Sequence, residues 1–297
     1  PEEYNPERGY TGTANSMNLP DDYPINKYRV GFEWSAPWRY KRMWEVLTAD
    51  DRHSMQDSLD LQRDYHSVFT RNMLATLSDT NHLASHELLK DWDGNHEVDS
   101  PAAALWNVWY RRHLTPALGQ SLSDGQLNVT NMSLDSMTVL EQLGTPEGQQ
   151  IVSDTLADAW EETTALLGSN PKKWEWGALH QIKFLHPLHG LAKADLQNRM
   201  ALAPYPRGGT GNTTNNTGFY GDNFDVQSGA SFRMVVDVGN WDAALATNAP
   251  GQSGDPRSRF YGNLLENWAT EKHFPLLFSR KAVNENAVFK ITLLPQE

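Results

Sequence analysis

The 297-residue sequence contains no cysteine. Disulfide bonds, thiolate metal sites and a cysteine nucleophile within this sequence are therefore excluded. No apolar run approaches the roughly 18 residues that a membrane-spanning helix needs, so we expect no membrane partner. The first residues show no basic segment followed by an apolar core, and no signal peptide is predicted. The lack of cysteine fits a bacterial periplasmic or secreted enzyme and leaves a cytoplasmic location open.

Positive charge is also scarce, since the formal net charge is -12 and the pI is about 5.3. A nucleic-acid-binding protein needs a basic face to displace counterions, so we expect no nucleic-acid partner. The hydrophobic content of 39% and the charged content of 21% are typical of a globular protein. The eleven tryptophans lie mostly in helical apolar patterns. This favours core packing over a sugar-binding platform.

Helices are predicted to fill about residues 35–170. Ser35 and Pro37 mark the start of one helix. Its apolar residues recur at helical spacing: Tyr40, Met43, Trp44 and Leu47. Further helices are predicted from near Ser54 through Phe69, over 101–114, and from Pro146 to about Leu167. A turn is predicted over residues 123–130.

Strands are predicted toward both ends of the sequence. Small residues over 9–14 and alternating apolar residues over 230–238 and 287–294 are typical of strands. Residues 204–224 are rich in Gly, Asn and Thr and predict a long loop, which in a compact domain is usually functional or mobile. The order predicts an α+β fold with a large helical insertion between pieces of sheet.

Asn15 ends the small-residue run in GYTGTANSMNLPDDYP (9–24). Two interpretations compete. Asparagine tolerates left-handed backbone and hydrogen-bonds its own main chain, so Asn15 can be a turn residue. Alternatively, its amide N–H points into a site whose small neighbours let a substrate approach. The local residues alone favour the turn.

Other candidate sites are incomplete. Three histidines lie close together in the sequence: His180, His186 and His189. Pro187 disfavours a helix that would bring their side chains together, and no nearby carboxylate completes a metal triad. Structural roles are therefore favoured over zinc binding. DWDGN (91–95) lacks the spacing of a calcium loop. No metal ligand is predicted from these residues.

Several segments, in order along the chain, resemble the penicillin acylase family of N-terminal-nucleophile hydrolases. The first is RGYTGTANSMNLPDDYP (8–24), followed by Trp34 and by Arg39 in SAPWRYKRM. LLKDWDG, WEWGALHQIKFLHPL and PRGG follow, and the last is the stretch from SGASFRMVVDVGNWDAALATNAPGQSGDP to HFPLLFSRKAV. The resemblance implies a portion of the family's αββα sandwich. It predicts one partial β-chain domain over 1–297, mostly helical over about 35–170, with strand-rich and loop parts over 1–34 and 171–297.

The resemblance also implies a mechanism. In the family, the first residue of a chain released by autoproteolysis, usually serine, attacks the acyl carbonyl while its α-amine takes the proton. A backbone N–H and the side-chain amide of an asparagine at the end of a strand stabilise the oxyanion. The matching asparagine is Asn15, with the strand of small residues as a wall of the site. The family's arginine that orients this asparagine and the amine matches Arg39, which would otherwise be interpreted as a first-turn residue in a surface ion pair.

The sequence departs from the family in three places. Pro1 has no hydroxyl, and no segment upstream of Asn15 resembles the family's serine-initiated start. The nucleophile, the N-terminal β segment and the α chain are therefore expected outside this chain, as partners from the same precursor.

Many members have Ser-Pro-His-Tyr where this chain has Ser258-Arg259-Phe260-Tyr261, so any role of that histidine is lost. The resemblance implies that no cofactor is required for catalysis. Some members bind structural Ca²⁺, most of whose ligands would lie outside this chain. The family's downstream ligand falls near Asn26 or Lys27, and no ligand is assigned.

Two functions follow from these observations. The first is an amidohydrolase acting on an N-acylated small molecule, such as a penicillin-type β-lactam or an N-acyl homoserine lactone. The alternative is a non-catalytic relative that binds a ligand or partner, which Pro1 and the missing nucleophile motivate.

Overall fold

Helices fill the middle of the chain, as predicted. The computed structural model describes residues 2–50, 52–77, 84–126, 134–221 and 223–295. Its first helices are α1 (Trp38–Ala49), α2 (Met55–Arg63), α3 (Val68–Leu74), α4 (Ala84–Leu89), α5 (Pro101–Val108), a π-helix (Trp109–Leu114), α6 (Thr115–Leu122), α7 (Ser136–Leu143) and α8 (Pro146–Leu167). No helix in the described ranges is long and apolar enough to span a bilayer.

The ends of α8 follow from its sequence. Thr145 Oγ1 accepts a hydrogen bond from Gly148 N at 3.0 Å, which satisfies one of the N–H groups that the first turn leaves free. Pro146 occupies the first turn, where the missing N–H costs nothing. Gly168 follows the last turn with a φ of 93°, a conformation that glycine adopts without strain. The predicted helix is confirmed.

One predicted helix is two. The helix expected from Ser54 through Phe69 breaks between α2 and α3, because Ser67 caps α3 by accepting a hydrogen bond from Thr70 N at 3.1 Å. Ser67 also pairs its backbone N–H with Gly94 O at 3.0 Å. The predicted turn begins at Ser123, and its last residues, 127–130, lie outside the described part of the chain.

Short elements and small antiparallel sheets make up the rest. They are α9 (Trp176–Leu179), β1 (Gln181–Ile182), α10 (Ala194–Met200), β2 (Tyr205–Pro206), β3 (Thr217–Gly218), β4 (Ser228–Gly229), β5 (Phe232–Val235), β6 (Leu245–Asn248), α11 (Leu265–Ala269), β7 (Phe274–Pro275) and α12 (Arg280–Asn286). β1 pairs with β2, β3 with β4, and β6 lies between β5 and β7. The α+β class is confirmed.

The chain divides into two units. The first comprises residues 1–53, 61–185 and 202–230, and the second comprises 54–60, 186–201 and 231–297. The core of the first unit is built from α1 and α3 to α8 with the segments around Trp174 and Trp176. Trp38, Trp109, Trp174 and Trp176 are fully buried there. For these tryptophans the prediction of core packing is confirmed.

Two of the predicted strands are wrong. Residues 9–14 and 287–294 are not strands, because a strand needs a hydrogen-bonded neighbour and neither segment has one among the described residues. The alternation predicted over 230–238 is present within β5, where Phe232 and Met234 are about half exposed and Arg233 and Val235 are buried. Arg233 lies inside because its guanidinium pairs with Glu271 at 2.7 Å.

Candidate active site

Asn15 has a left-handed backbone where the chain turns. Its φ is 65°, a region that asparagine visits more readily than most residues because its short polar side chain bonds locally. Its carbonyl oxygen accepts a hydrogen bond from Ser35 N at 3.0 Å. This bond fixes the turn against the residues that precede α1. The left-handed backbone of the turn interpretation is present, whereas the Asn15 side chain bonds Arg39 and not its own main chain.

The small residues before Asn15 pack against α1. A Cβ at Gly12 would lie 2.7 Å from Met43 Cε, closer than real Cβ atoms come to a neighbour, and 3.2 Å from Trp44 Cζ3, which is a tight contact. Ala14 is buried. The lack of bulk therefore brings this segment against the helix that carries Arg39, and it does not form a strand.

Arg39 fixes the orientation of the Asn15 side chain. Its Nη2 donates a hydrogen bond to Asn15 Oδ1 at 3.0 Å. Because a guanidinium can only donate, the amide oxygen must face Arg39 and the amide nitrogen must face away. Asn15 Nδ2 has no hydrogen-bond partner among the described residues and is free to donate to a ligand.

Arg39 lies in the first turn of α1 without a carboxylate within salt-bridge distance in the described ranges. The surface ion pair of the alternative interpretation is therefore absent from those ranges. Partial burial lowers the pKa of Arg39, although a guanidinium stays protonated in proteins. An uncompensated positive charge beside a free N–H donor favours negative charge developing at this point.

The Asn15 side chain lies in the wall of a cavity of about 800 Å³, which we call the Asn15 cavity. Its other polar wall residues include Ser35, Arg39, Thr214, Asn212 and Asn216. The last three come from the predicted long loop 204–224, so that loop contributes to the site. Sequence reasoning did not single out these residues, and the only signal was the loop's unusual content of Asn, Thr and Gly.

Contacts with buried groups order this loop. Gly209 N donates to His96 O at 2.7 Å, and Trp176 Nε1 donates to Gly209 O at 3.0 Å. Thr217 Oγ1 donates to Gly208 O at 2.7 Å. The pair Gly208-Gly209 is required because the Tyr65 ring lies within 2.8 Å of where either Cβ would stand. The loop is thus fixed in position where it approaches Asn15.

The three clustered histidines do not form a metal site. His180 is buried in the first unit and hydrogen-bonds Phe224 O through Nδ1 at 2.6 Å, and burial lowers the pKa of His180 to about 4. His186 hydrogen-bonds Gly254 O at 3.1 Å in the second unit. Within the described residues no group of three or more His, Asp or Glu could hold a metal ion.

The position implied for calcium offers few ligands from this chain. The Lys27 ammonium lies 4.9 Å from the centroid of the Tyr28 ring, and an ammonium group has no lone pair to give a cation. Asn26 alone would supply a single ligand, whereas calcium takes six to eight oxygen ligands. Calcium binding through this chain therefore stays an untested prediction.

Comparisons with known proteins show which sequences and folds this chain resembles. The sequence is similar to acyl-homoserine lactone acylase QuiP of Pseudomonas putida (28% identity, covering 90% of this chain and 37% of that protein) and of Pseudomonas aeruginosa (23%, 99% and 40%). It is also similar to penicillin acylase 2 proenzyme of Pseudomonas sp. strain SE83 (27%, 99% and 40%). The chain thus spans about two fifths of the length of these relatives.

The fold is similar to that of thermostable penicillin G acylase from Alcaligenes faecalis. The TM-score is 0.62 at 17% identity, over 99% of this chain and 58% of that chain. This similarity confirms the predicted fold class. The sequence model of the penicillin amidase family matches residues 1–285. The chain belongs to the penicillin amidase family.

Proposed function

We propose that this chain is part of an enzyme that hydrolyses the acyl–amide bond of N-acylated small molecules. Asn15 Nδ2 donates to the oxyanion in the proposed site, and Arg39 is the positioning residue that presents it. The observation that carries the proposal is the hydrogen bond from Arg39 Nη2 to Asn15 Oδ1 at 3.0 Å. It leaves the amide N–H facing away from Arg39, in the wall of a cavity.

The proposed chemistry is nucleophilic acyl transfer. A hydroxyl from a segment of the same precursor outside this chain attacks the acyl carbon, and an adjacent amine accepts its proton. The carbonyl oxygen gains negative charge as the tetrahedral intermediate forms, and a fixed N–H donor stabilises that charge more than it stabilises the ground state. As the intermediate collapses, the C–N bond breaks and the protonated base returns its proton to the leaving nitrogen, which departs as the amine product. Water then hydrolyses the acyl-enzyme.

The substrate class is taken from the relatives. The similarity to acyl-homoserine lactone acylases and to a penicillin acylase favours an N-acyl homoserine lactone or a penicillin-type β-lactam. We further propose that the enzyme matures by autoproteolysis into a heterodimer and acts in the bacterial periplasm or outside the cell.

Substitution of Asn15 in the complete enzyme tests this role. Asn15→Gly keeps the left-handed backbone and removes the amide, and Asn15→Asp keeps the shape and replaces the N–H donor by an acceptor. Both should lower kcat by roughly 10²–10³ with a much smaller change in KM. Asn15→Ala should lower kcat by a similar factor. The matched control is Asn18→Ala, because Asn18 is an exposed asparagine of the same loop and its substitution should leave kcat unchanged.

Near-normal turnover by Asn15→Gly would disprove the oxyanion role. Intact-mass analysis of the purified enzyme tests the wider proposal, since a co-purifying chain that begins with Ser, Thr or Cys is expected. A single 33.5 kDa species without amidase activity would instead support the non-catalytic alternative.

A further inference from the structure

A second cavity, of about 420 Å³, adjoins the Asn15 cavity within the first unit. The two cavities share the wall residues Ala36, Gly211, Asn212 and Tyr220. We call the second one the aromatic cavity, because Trp106, Tyr110, Phe219 and Tyr220 line it. Its volume is in the range of small-molecule sites. The shared wall places the aromatic cavity directly beside the cavity that holds Asn15.

One wall of the aromatic cavity is formed where α5 becomes the π-helix. Trp106 lies in the last turn of α5, and Tyr110 and Arg111 lie in the first residues of the π-helix. Such π-helical turns are rare and often occur at functional sites. Trp109 Nε1 donates to Thr155 Oγ1 at 3.0 Å. That bond ties the π-helix to α8.

Tyr110 is held rigidly in this wall. Its ring stacks on Trp106 with centroids 4.8 Å apart and an interplanar angle of 11°, and it meets Phe69 edge-on at 5.4 Å. Its hydroxyl has no hydrogen-bond partner among the described residues. Burial raises the pKa of Tyr110, so the hydroxyl is neutral at working pH. It can both donate a hydrogen bond and accept one.

The two charged residues of the wall, Asp135 and Arg111, each hydrogen-bond to backbone groups. Asp135 Oδ2 accepts hydrogen bonds from Met137 N at 3.0 Å and Thr138 N at 3.1 Å, at the start of α7. Arg111 Nε donates to Gly221 O at 3.4 Å. The two charges are opposite in sign, so the wall is neutral overall. An ionised ligand group would lose hydration and disturb this balance of charge, whereas an uncharged group would not.

We infer that the aromatic cavity binds an uncharged, ring-containing part of the substrate and that the Tyr110 hydroxyl recognises an oxo or hydroxyl group on that ring. This inference rests on the proposed function, because the aromatic cavity serves the reaction at Asn15. Tyr110 acts in specificity and takes no part in bond breaking. The apolar walls hold the body of the ring, and the hydroxyl discriminates its polar substituent.

Matched pairs of amides that differ in one polar group test this inference in the complete enzyme. One pair varies the acyl side, 4-hydroxyphenylacetyl against phenylacetyl amides. The other varies the amine side, a homoserine lactone against a cyclopentylamine amide. In the wild type, kcat/KM should favour the polar member of one pair. Tyr110→Phe should reduce that ratio by roughly 3- to 10-fold, the value of one neutral hydrogen bond, and Tyr40→Phe should leave the ratio unchanged.

Calorimetric titration of the cleavage fragments gives a second readout that needs no turnover. The wild type should bind the polar fragment more tightly than the apolar one, and Tyr110→Phe should remove the difference. If the enzyme hydrolyses these amides but Tyr110→Phe leaves the kcat/KM ratio of each pair unchanged, the inference is overturned and the proposed function stands. Tyr110-dependent binding without hydrolysis would support the cavity and overturn the proposed function. A lack of discrimination in both measurements would overturn the inference.

Discussion

Asn107 donates a hydrogen bond from Nδ2 to His96 Nδ1 at 3.1 Å, in the interior of the first unit. The same Nδ2 donates to Ala103 O at 2.8 Å, which identifies it as the nitrogen. His96 Nδ1 must therefore be the acceptor, so Nε2 carries the proton and donates to Thr70 Oγ1 at 2.9 Å. If His96 Nδ1 were protonated, its N–H and the N–H of Asn107 Nδ2 would face each other with no acceptor between them. The interior thus requires His96 to be neutral.

This requirement predicts how stability depends on pH. Burial lowers the pKa of His96 to about 3 and that of His180 to about 4, from 6.5. Below pH 6.5 the unfolded chain binds protons that the folded chain does not, so the free energy of unfolding should fall as pH decreases toward 4. Urea unfolding at pH 4.5–6 should show an uptake of about two protons from these residues.

A separate variant checks the assignment. The slope of the unfolding free energy against pH gives the number of protons taken up on unfolding. In His96→Gln this number should be about one lower than in the wild type. The raised pKa of His66 beside Asp64 acts in the opposite sense: its stabilisation is complete below pH 6.5 and is lost as pH rises through the folded value. His66 therefore adds almost nothing to the pH dependence of the unfolding free energy below pH 6. An unfolding free energy that does not change with pH in that range would contradict the predicted role of His96 and His180.

Gly208→Ala should destabilise the first unit. The new Cβ would lie 2.6 Å from His96 O and 2.7 Å from Tyr65 Cε2, so a backbone atom or a packed ring must move. Overpacking of this kind costs about 1–3 kcal/mol. Thermal unfolding should detect a lower Tm. Gly211→Ala is the matched control for stability, because its nearest neighbour would be 3.8 Å away, and an equal loss in both variants would contradict the steric explanation.

Arg39→Gln should lower kcat of the complete enzyme by roughly 10- to 100-fold, the value of one charge-assisted hydrogen bond. The reason is that Asn15 Oδ1 loses its charged donor and the amide can rotate. Arg39→Lys should recover part of the loss, and Lys41→Gln removes a cation from the same helix as a control. Equal effects of Arg39→Gln and Lys41→Gln would indicate a general charge effect instead of positioning.

Glu271→Gln should destabilise the second unit. Arg233 is 7% exposed, and its Nη1 lies 2.7 Å from Glu271 Oε2, so the variant leaves a buried cation without its carboxylate. Breaking such a pair costs about 3 kcal/mol. Asp255→Asn, which breaks the exposed pair with Arg257, should leave urea unfolding unchanged. A Glu271→Gln variant as stable as the wild type would disprove the importance of the buried pair.

Local signals predicted the helices well, because capping and first-turn residues act on their own neighbours. Thr145, Pro146 and Gly168 are sufficient to define α8. The strand predictions over 9–14 and 287–294 failed for the opposite reason: alternation describes one strand, whereas a strand exists only when a partner pairs with its backbone. The sequence of either segment does not specify that partner.

The candidate site was predictable only in part. Family resemblance singled out Asn15 and Arg39, and the structure brings them together across 24 residues; their chemical roles stay predictions. Asn212 and Asn216 could not be predicted, because their placement depends on Tyr65, which is distant in sequence and packs on Gly208. Tyr110 was also missed, since an α-helical pattern contains no sign of the π-helix that begins beside it.

The left-handed backbone of Asn15 also limits which substitutions evolution can explore. With a φ of 65°, the position favours glycine, asparagine and aspartate over other residues. Glycine has no side chain, and an ionised aspartate has no N–H to donate. Among the residues that suit the turn, asparagine alone also supplies the amide donor. In the proposed role, every single substitution of Asn15 therefore loses either a residue suited to the turn or the N–H donor.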